Sequence, residues 1–228
     1  MLSSKVNINP IISVFTEKLS LDEYLNYEQK ITFFMKIAKY LDHSRTGNSV
    51  GRTPITISKN LDRLIDFLKM IDCTDIEIIE IISESPDILN VDVMKIYSKY
   101  LILGSIPECL DNPHFRKDML IKKPRDFRTG LTTLYARYQF SKTLNYPEDK
   151  INWSMLMHDT NSEFAKKFVK NAYNKPYKIY NSSSEFDMYE IKEKYPFSLE
   201  CLEEFKDLEV NQEIILRTEE LIKEGPTL

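Results

Sequence analysis

The chain has 228 residues, of which 42% are hydrophobic and 29% charged, a balance that folds and that excludes disordered, collagen-like and disulfide-scaffold chains. Five glycines against ten prolines, twelve phenylalanines and thirteen tyrosines argue against β-rich and α/β architectures, because hairpins and phosphate-binding loops need glycine at positive φ. A net charge of −4 and a pI near 5.6 exclude a protein whose whole surface is basic.

The opening residues Met1 to Pro10 carry Lys5 and no apolar run, unlike a secretory signal, and Glu17, Asp22, Glu23 and Glu28 are unlike an organelle-targeting segment. No apolar stretch approaches the ~18 residues of a membrane span. The expectation is a soluble, cytoplasmic protein without a membrane partner. A short helix is expected from Pro10 to about Leu19. A long amphipathic helix follows from Ser20, with Ser20 and Glu23 spaced as a capping box. Leu21, Tyr24, Tyr27, Ile31, Phe34, Ile37, Ala38 and Leu41 recur at helical intervals along it, as a core-facing stripe would. Residues 1–43 thus read as an N-terminal helical pair, and Ser44–Thr53, with two of the glycines and no periodicity, as a linker.

Beyond the linker the text reads as a repeat. Pro54 leads a helix through Leu61, Leu64 and Leu68. Thr74 with Glu77 caps a second helix, DIEIIEIISE, and Pro86 stops it. Seven, ten and fourteen residues past Pro54, Pro86 and Pro124 stand Leu61/Leu64/Leu68, Val93/Ile96/Tyr100 and Leu131/Leu134/Tyr138. Successive prolines lie 32 and 38 residues apart, the period at which helix pairs stack to bury their apolar faces. Further helices are expected at residues 147–158, 161–171, 185–194, 198–208 and 211–223, with Ser182–Ser184 as a cap and boundary. The fold class is therefore all-α: a right-handed stack of helical repeats over residues 54–178, preceded by the helical pair and followed by a C-terminal helical subdomain, 185–228.

The run PITISKNLDRLIDFLKMIDCTDIEIIEIISESPDIL, residues 54–89, resembles the repeat of the mitochondrial transcription termination factor family. It shares the leading proline, a helix ending in FLK, a capped turn, an EII-rich second helix and the next proline. The resemblance extends through residues 86–123, where IPECLDNPHF looks inserted, and partially beyond Pro124, covering roughly half the chain. It implies a superhelical stack of three-helix repeats, a fold on which several family members bind nucleic acid along a basic concave surface.

The charge is unevenly spread. Residues 1–115 sum to −4, residues 116–178 to +8 with 14 basic and 6 acidic side chains, and residues 179–228 to −8. Basic side chains interleaved with Phe115, Phe127, Tyr135, Tyr138 and Phe140 offer phosphate neutralisation and stacking to a nucleic acid, although Tyr138 occupies a core position of the repeat. The candidate contacts are Lys122, Lys123, Arg125, Arg128, Arg137 and Lys142, with the following cluster Lys166, Lys167, Lys170, Lys175 and Lys178. The expected function is non-enzymatic and regulatory: binding of nucleic acid, DNA or RNA, with contacts mainly to phosphate. The alternative is a protein-interaction, scaffold or inhibitor module using the concave surface and exposed aromatics such as Tyr146, Trp153 and Tyr177. The acidic end, residues 185–224, is a candidate to mimic phosphate and dock across the basic region.

Chemistry-bearing motifs are sparse. Cys73, Cys109 and Cys201 are widely spaced and odd in number, as free thiols are. His43, His114 and His158 have no second ligand at metal spacing, and GNSVGR lacks the GK[ST] ending of a phosphate-binding loop. No catalytic residue, metal or cofactor is assigned.

Overall fold

The computed structural model describes residues 7–46, 53–143, 148–158, 164 and 188–223. All regular structure among them is helical. In chain order the helices are α1 (Asn9–Lys18), α2 (Leu21–Tyr24), α3 (Tyr27–Thr46), α4 (Pro54–Met70), α5 (Asp75–Glu84), α6 (Val93–Leu103), α7 (Pro107–Asp111), α8 (Phe115–Lys122), α9 (Leu131–Thr143), α10 (Met188–Lys194) and α11 (Glu209–Lys223). Short 3-10 segments stand at Pro86–Asn90, Pro124–Arg128, Glu148–Lys150 and Leu199–Phe205, and a π-helical turn at Ser154–His158. Contacts divide the chain into two compact units, Met1–Ile96 with Met119–Arg125 and Tyr97–Asp118 with Asp126–Leu228. The division falls inside α6 and again inside α8, whereas composition suggests three consecutive segments.

In the first unit α1 packs on α4, and Phe15 meets Phe33 and Phe34 edge to face at 5.1 and 5.9 Å. The single long helix expected from Ser20 is broken. Ser20 makes no side-chain cap, and its amide donates to the Asp75 carboxylate at 2.7 Å. The capping box forms six residues later: the Asn26 amide donates to Gln29 Oε1 at 2.9 Å and the Gln29 amide to Asn26 Oδ1 at 3.0 Å. The restart rotates the apolar pattern. Phe33, Ile37 and Leu41 are buried, whereas Tyr24, Tyr27 and Ile31, expected in the core stripe, are exposed.

The Thr74–Glu77 box forms as expected, with the Thr74 amide donating to Glu77 Oε2 at 2.7 Å. Between α4 and α5 the chain turns through Asp72 at φ 61°. The Asp72 amide donates to the Lys69 carbonyl and the Cys73 amide to the Leu68 carbonyl, at 3.0 and 2.9 Å. Such a left-handed residue satisfies the last carbonyls of a helix.

The proline-led segments share local structure. Pro86 and Pro124 each open a five-residue 3-10 segment and precede the next helix by seven residues, whereas Pro54 is itself the first residue of α4. Leu61, Leu64, Leu68, Ile96, Tyr100, Leu134 and Tyr138 are buried as the register requires, and Val93 and Leu131 are half-buried. The carbonyl of the fourth 3-10 residue is held each time by a side chain from an earlier helix. Asn60 Nδ2 donates to the Leu89 carbonyl at 2.9 Å in the first unit, and Lys99 Nζ donates to the Phe127 carbonyl in the second.

In the second unit α10 packs on α9, where Met188 and Ile191 cluster with Ala136. Tyr135 and Tyr138 of α9 meet Phe205 at 6.4 and 5.8 Å, and Tyr135 meets Phe197 at 5.5 Å. Trp153, expected among the exposed aromatics, is only 2% exposed. Its ring lies 4.9 Å from Phe127, its backbone amide donates to Glu108 at 2.8 Å and its indole N–H to Asp126 at 3.4 Å. A buried indole N–H needs such a partner. Cys73 and Cys109 are buried free thiols and Cys201 is a half-buried one.

Candidate nucleic-acid interface

The expected contact residues fall into three groups. Lys122, Lys123 and Arg125 stand together at the junction of α8 and the 3-10 segment Pro124–Arg128, and all three are exposed. The cause is local. Leu120 and Pro124 are buried and anchor the junction, so Lys122, Lys123 and Arg125 point outward. The Lys123 amide closes the last turn of α8 on the Met119 carbonyl at 2.8 Å. Arg125 reaches the Glu84 backbone carbonyl at 3.4 Å and lies 3.7 Å from its carboxylate, a pair with both side chains well exposed. A pair of that exposure contributes little to stability, and it leaves the guanidinium open to an anion.

The second group lies on or beside α9. Lys142 is exposed, with its ammonium 4.3 Å from the centre of the Tyr138 ring. Arg137 is a correction to the candidate list. It is 2% exposed, its Nη1 donates to the Leu156 carbonyl at 3.0 Å, and its guanidinium lies 5.0 Å from the Phe164 ring. A guanidinium held this way is a core group, and phosphate has no route to it. Arg128 closes the 3-10 segment, and its side chain lies outside the described part.

The third group, Lys166, Lys167, Lys170, Lys175 and Lys178, lies outside the described residues, as do Tyr146, Tyr177 and Ser182–Ser184. The basic centre is thus divided: Lys122, Lys123 and Arg125 belong to the first unit, and Lys142 to the second.

Much of the acidic C-terminal segment is built into the second unit. Glu204 accepts two hydrogen bonds from Gln139 of α9, at 3.0 and 3.1 Å. Asn211 at the start of α11 is fully buried and accepts from Arg116 Nη1 at 2.5 Å, while Arg116 Nη2 donates to the Val210 carbonyl at 2.6 Å. Met188, Ile191, Leu202, Phe205, Asn211 and Ile215 thus tie this segment into the unit, while Tyr189, Leu199 and Leu216 stay exposed.

Arg116 carries charge inward, and its acceptors among the described residues are two backbone carbonyls and an amide oxygen rather than a carboxylate. It is 1% exposed, and burial lowers its pKa below the ordinary arginine value, although Tyr100 and Cys109 favour the charged form. The Tyr100 carbonyl accepts from Nη1 at 2.5 Å and the Tyr100 ring lies 4.2 Å beneath the guanidinium. Beside it, burial pushes the Cys109 thiol up to about 12, which makes it inert as a nucleophile. Cys201 behaves oppositely. Its partial burial opposes ionisation, but the Ser198 amide and hydroxyl and the Tyr135 hydroxyl outweigh that and lower its pKa.

Among the described residues no group of three His, Cys, Asp or Glu side chains is placed to hold a metal ion, and no helix is long and apolar enough to cross a membrane. Comparison with protein-family models, with curated proteins and with solved structures found no match to this chain.

Proposed function

We propose that this chain binds nucleic acid by its phosphates, as a helical-repeat protein similar to the transcription termination factor family. Lys122, Lys123 and Arg125 form the principal contact, and Lys142 with the lysines of residues 166–178 adds to it. The observation that carries this reading is the outward presentation of three cations within four residues, anchored by buried Leu120 and Pro124. Neither Lys122 nor Lys123 forms an ion pair with another described residue. Such contacts neutralise phosphate and read no base edges, so the binding is weakly sequence-selective and strongly salt-dependent.

The test is fluorescence anisotropy with labelled 20-nucleotide DNA, RNA and duplex probes between 50 and 200 mM salt. Three phosphate contacts predict a loss of roughly 20- to 40-fold in affinity over that range. The triple substitution Lys122→Glu, Lys123→Glu, Arg125→Glu lowers affinity and flattens the salt slope by about 2 to 3. Absence of binding to every probe at 50 mM salt, or binding indifferent to the triple substitution, refutes the assignment.

A further inference from the structure

We propose that the Glu84 carboxylate is a built-in competitor for phosphate at the cationic junction, holding Arg125 until a nucleic-acid strand displaces it. The inference rests on the nucleic-acid reading and stays within the first unit, to which Glu84 and Arg125 both belong.

Arg125 is held twice at one helix end. Its Nη2 donates to the Glu84 carbonyl at 3.4 Å and lies 3.7 Å from Glu84 Oε1. Glu84 is the last residue of α5, so its carbonyl is among those a helix leaves without an internal partner, at the negative end of the dipole. The backbone around it is fixed. Ile81, Ile82 and Ser85 are buried, and the Ser85 amide closes the last turn on the Ile81 carbonyl at 3.0 Å. The Glu84 carboxylate is thus presented from a rigid base.

That carboxylate does little for the fold. In the last turn it opposes the macrodipole, and its pair with Arg125 is too exposed, at 62% and 67% for the two side chains, to contribute much stability. What it does is occupy a guanidinium. Carboxylate and phosphate offer an arginine the same charged oxygen acceptors, so one can stand in for the other. Lys122 and Lys123 stand three and two residues before Arg125. Among the described residues, Glu84 is the one carboxylate within ion-pair distance of any of these three cations. A single anion must break the pair for one new contact, whereas a strand that also meets Lys122 and Lys123 gains several contacts by the same exchange. The junction therefore favours a chain of phosphates over single anions.

The experiment is fluorescence anisotropy on the full chain with labelled DNA and RNA strands, between about 50 and 200 mM salt. Glu84→Gln keeps the side chain's size and removes its charge. It raises affinity roughly two- to fivefold at the low-salt end and steepens the salt slope by up to about 1. In an Arg125→Gln background the same substitution has no comparable effect, because no guanidinium remains to be released. All three variants keep the helical circular dichroism of wild type, since both positions are exposed. An equal gain in the two backgrounds shows general repulsion and overturns the proposal. Unchanged affinity of Glu84→Gln, in a protein whose binding still depends on Lys122 and Lys123, also overturns it and leaves the nucleic-acid reading standing. Absence of binding by wild type and Glu84→Gln alike refutes that reading, and the competitor role with it.

Discussion

Gly104→Ala sets two opposite effects against each other at one atom. Gly104 follows the last residue of α6, is buried, and has no positive φ. On backbone grounds alone, alanine should stabilise the protein by about 0.4–1 kcal/mol, because it reduces the freedom of the unfolded chain. The neighbours reverse the sign. A Cβ at this position falls well inside contact distance of Arg116 Nη1 and Asn211 Oδ1, both fully buried and bonded to each other. Neither group can yield freely. Nη1 also donates to Tyr100, Nη2 to Val210, and Asn211 Nδ2 donates to the Leu101 and Phe205 carbonyls at 2.9 and 3.0 Å.

A methyl group therefore displaces a clasp that joins positions 95 residues apart in the chain. Hydrogen bonds to a charged group contribute about 1.5–3 kcal/mol each. Losing or stretching one or two of them, less the entropic gain, predicts net destabilisation of about 2–4 kcal/mol. For a chain of this size that lowers Tm by roughly 5–15 °C. Urea and thermal unfolding followed by circular dichroism at 222 nm read it directly, and the near-ultraviolet signal of Trp153 reports the second unit. A Gly104→Ala protein as stable as wild type, or more stable, refutes the claim that the Arg116–Asn211 clasp is rigid.

Two further substitutions address the first unit. Burial pulls the Lys18 pKa down, but bonds to Asp62 and Asp66, at 2.7 and 2.6 Å, more than offset it and raise the pKa above the ordinary lysine value. A cation with a raised folded-state pKa stabilises fully below its unfolded pKa of about 10.4 and loses that contribution as pH climbs through the folded value. Unfolding curves of wild type and Lys18→Gln should thus differ most below about pH 10 and converge above it; a constant gap shows that packing, not charge, supports the pair. Asp72 holds a left-handed turn that glycine adopts at no steric cost, so Asp72→Gly should raise stability by up to about 1 kcal/mol. A fall in urea midpoint would show that the interaction Asp72 makes outweighs the relief of strain.

The parts of the fold read correctly from sequence are those set by local chemistry: the Thr74–Glu77 box, the buried leucines after Pro54 and the buried apolar positions ten and fourteen residues past Pro86 and Pro124. Misreadings arise where a long-range partner decides. Ser20 has the spacing of a cap, but the Asp75 carboxylate takes its amide, and the box moves to Asn26 and Gln29, whose amide pairing is a less familiar signature. That shift exposes the Tyr27–Ile31 row, which periodicity alone assigns to the core.

The same reasoning explains Arg137. A basic residue on a helix is counted with the surface because burying an unpaired charge is costly. Here a backbone carbonyl exposed by the next irregular turn supplies the partner, and only tertiary structure reveals where that carbonyl lies. The register does carry the information in another form. Lys99 and Arg137 each stand 13 residues past a proline that opens a 3-10 segment, and each is 2% exposed and donates to a later backbone carbonyl, Phe127 and Leu156 respectively. A buried cation at the same offset from each such proline is a mark of a carbonyl to be capped rather than of a phosphate to be bound. By the same argument Lys122 and Lys123 remain surface candidates: they stand between the buried Leu120 and Pro124, and neither side chain bonds a described carbonyl, while Arg125, just past Pro124, is exposed and reaches only the exposed Glu84.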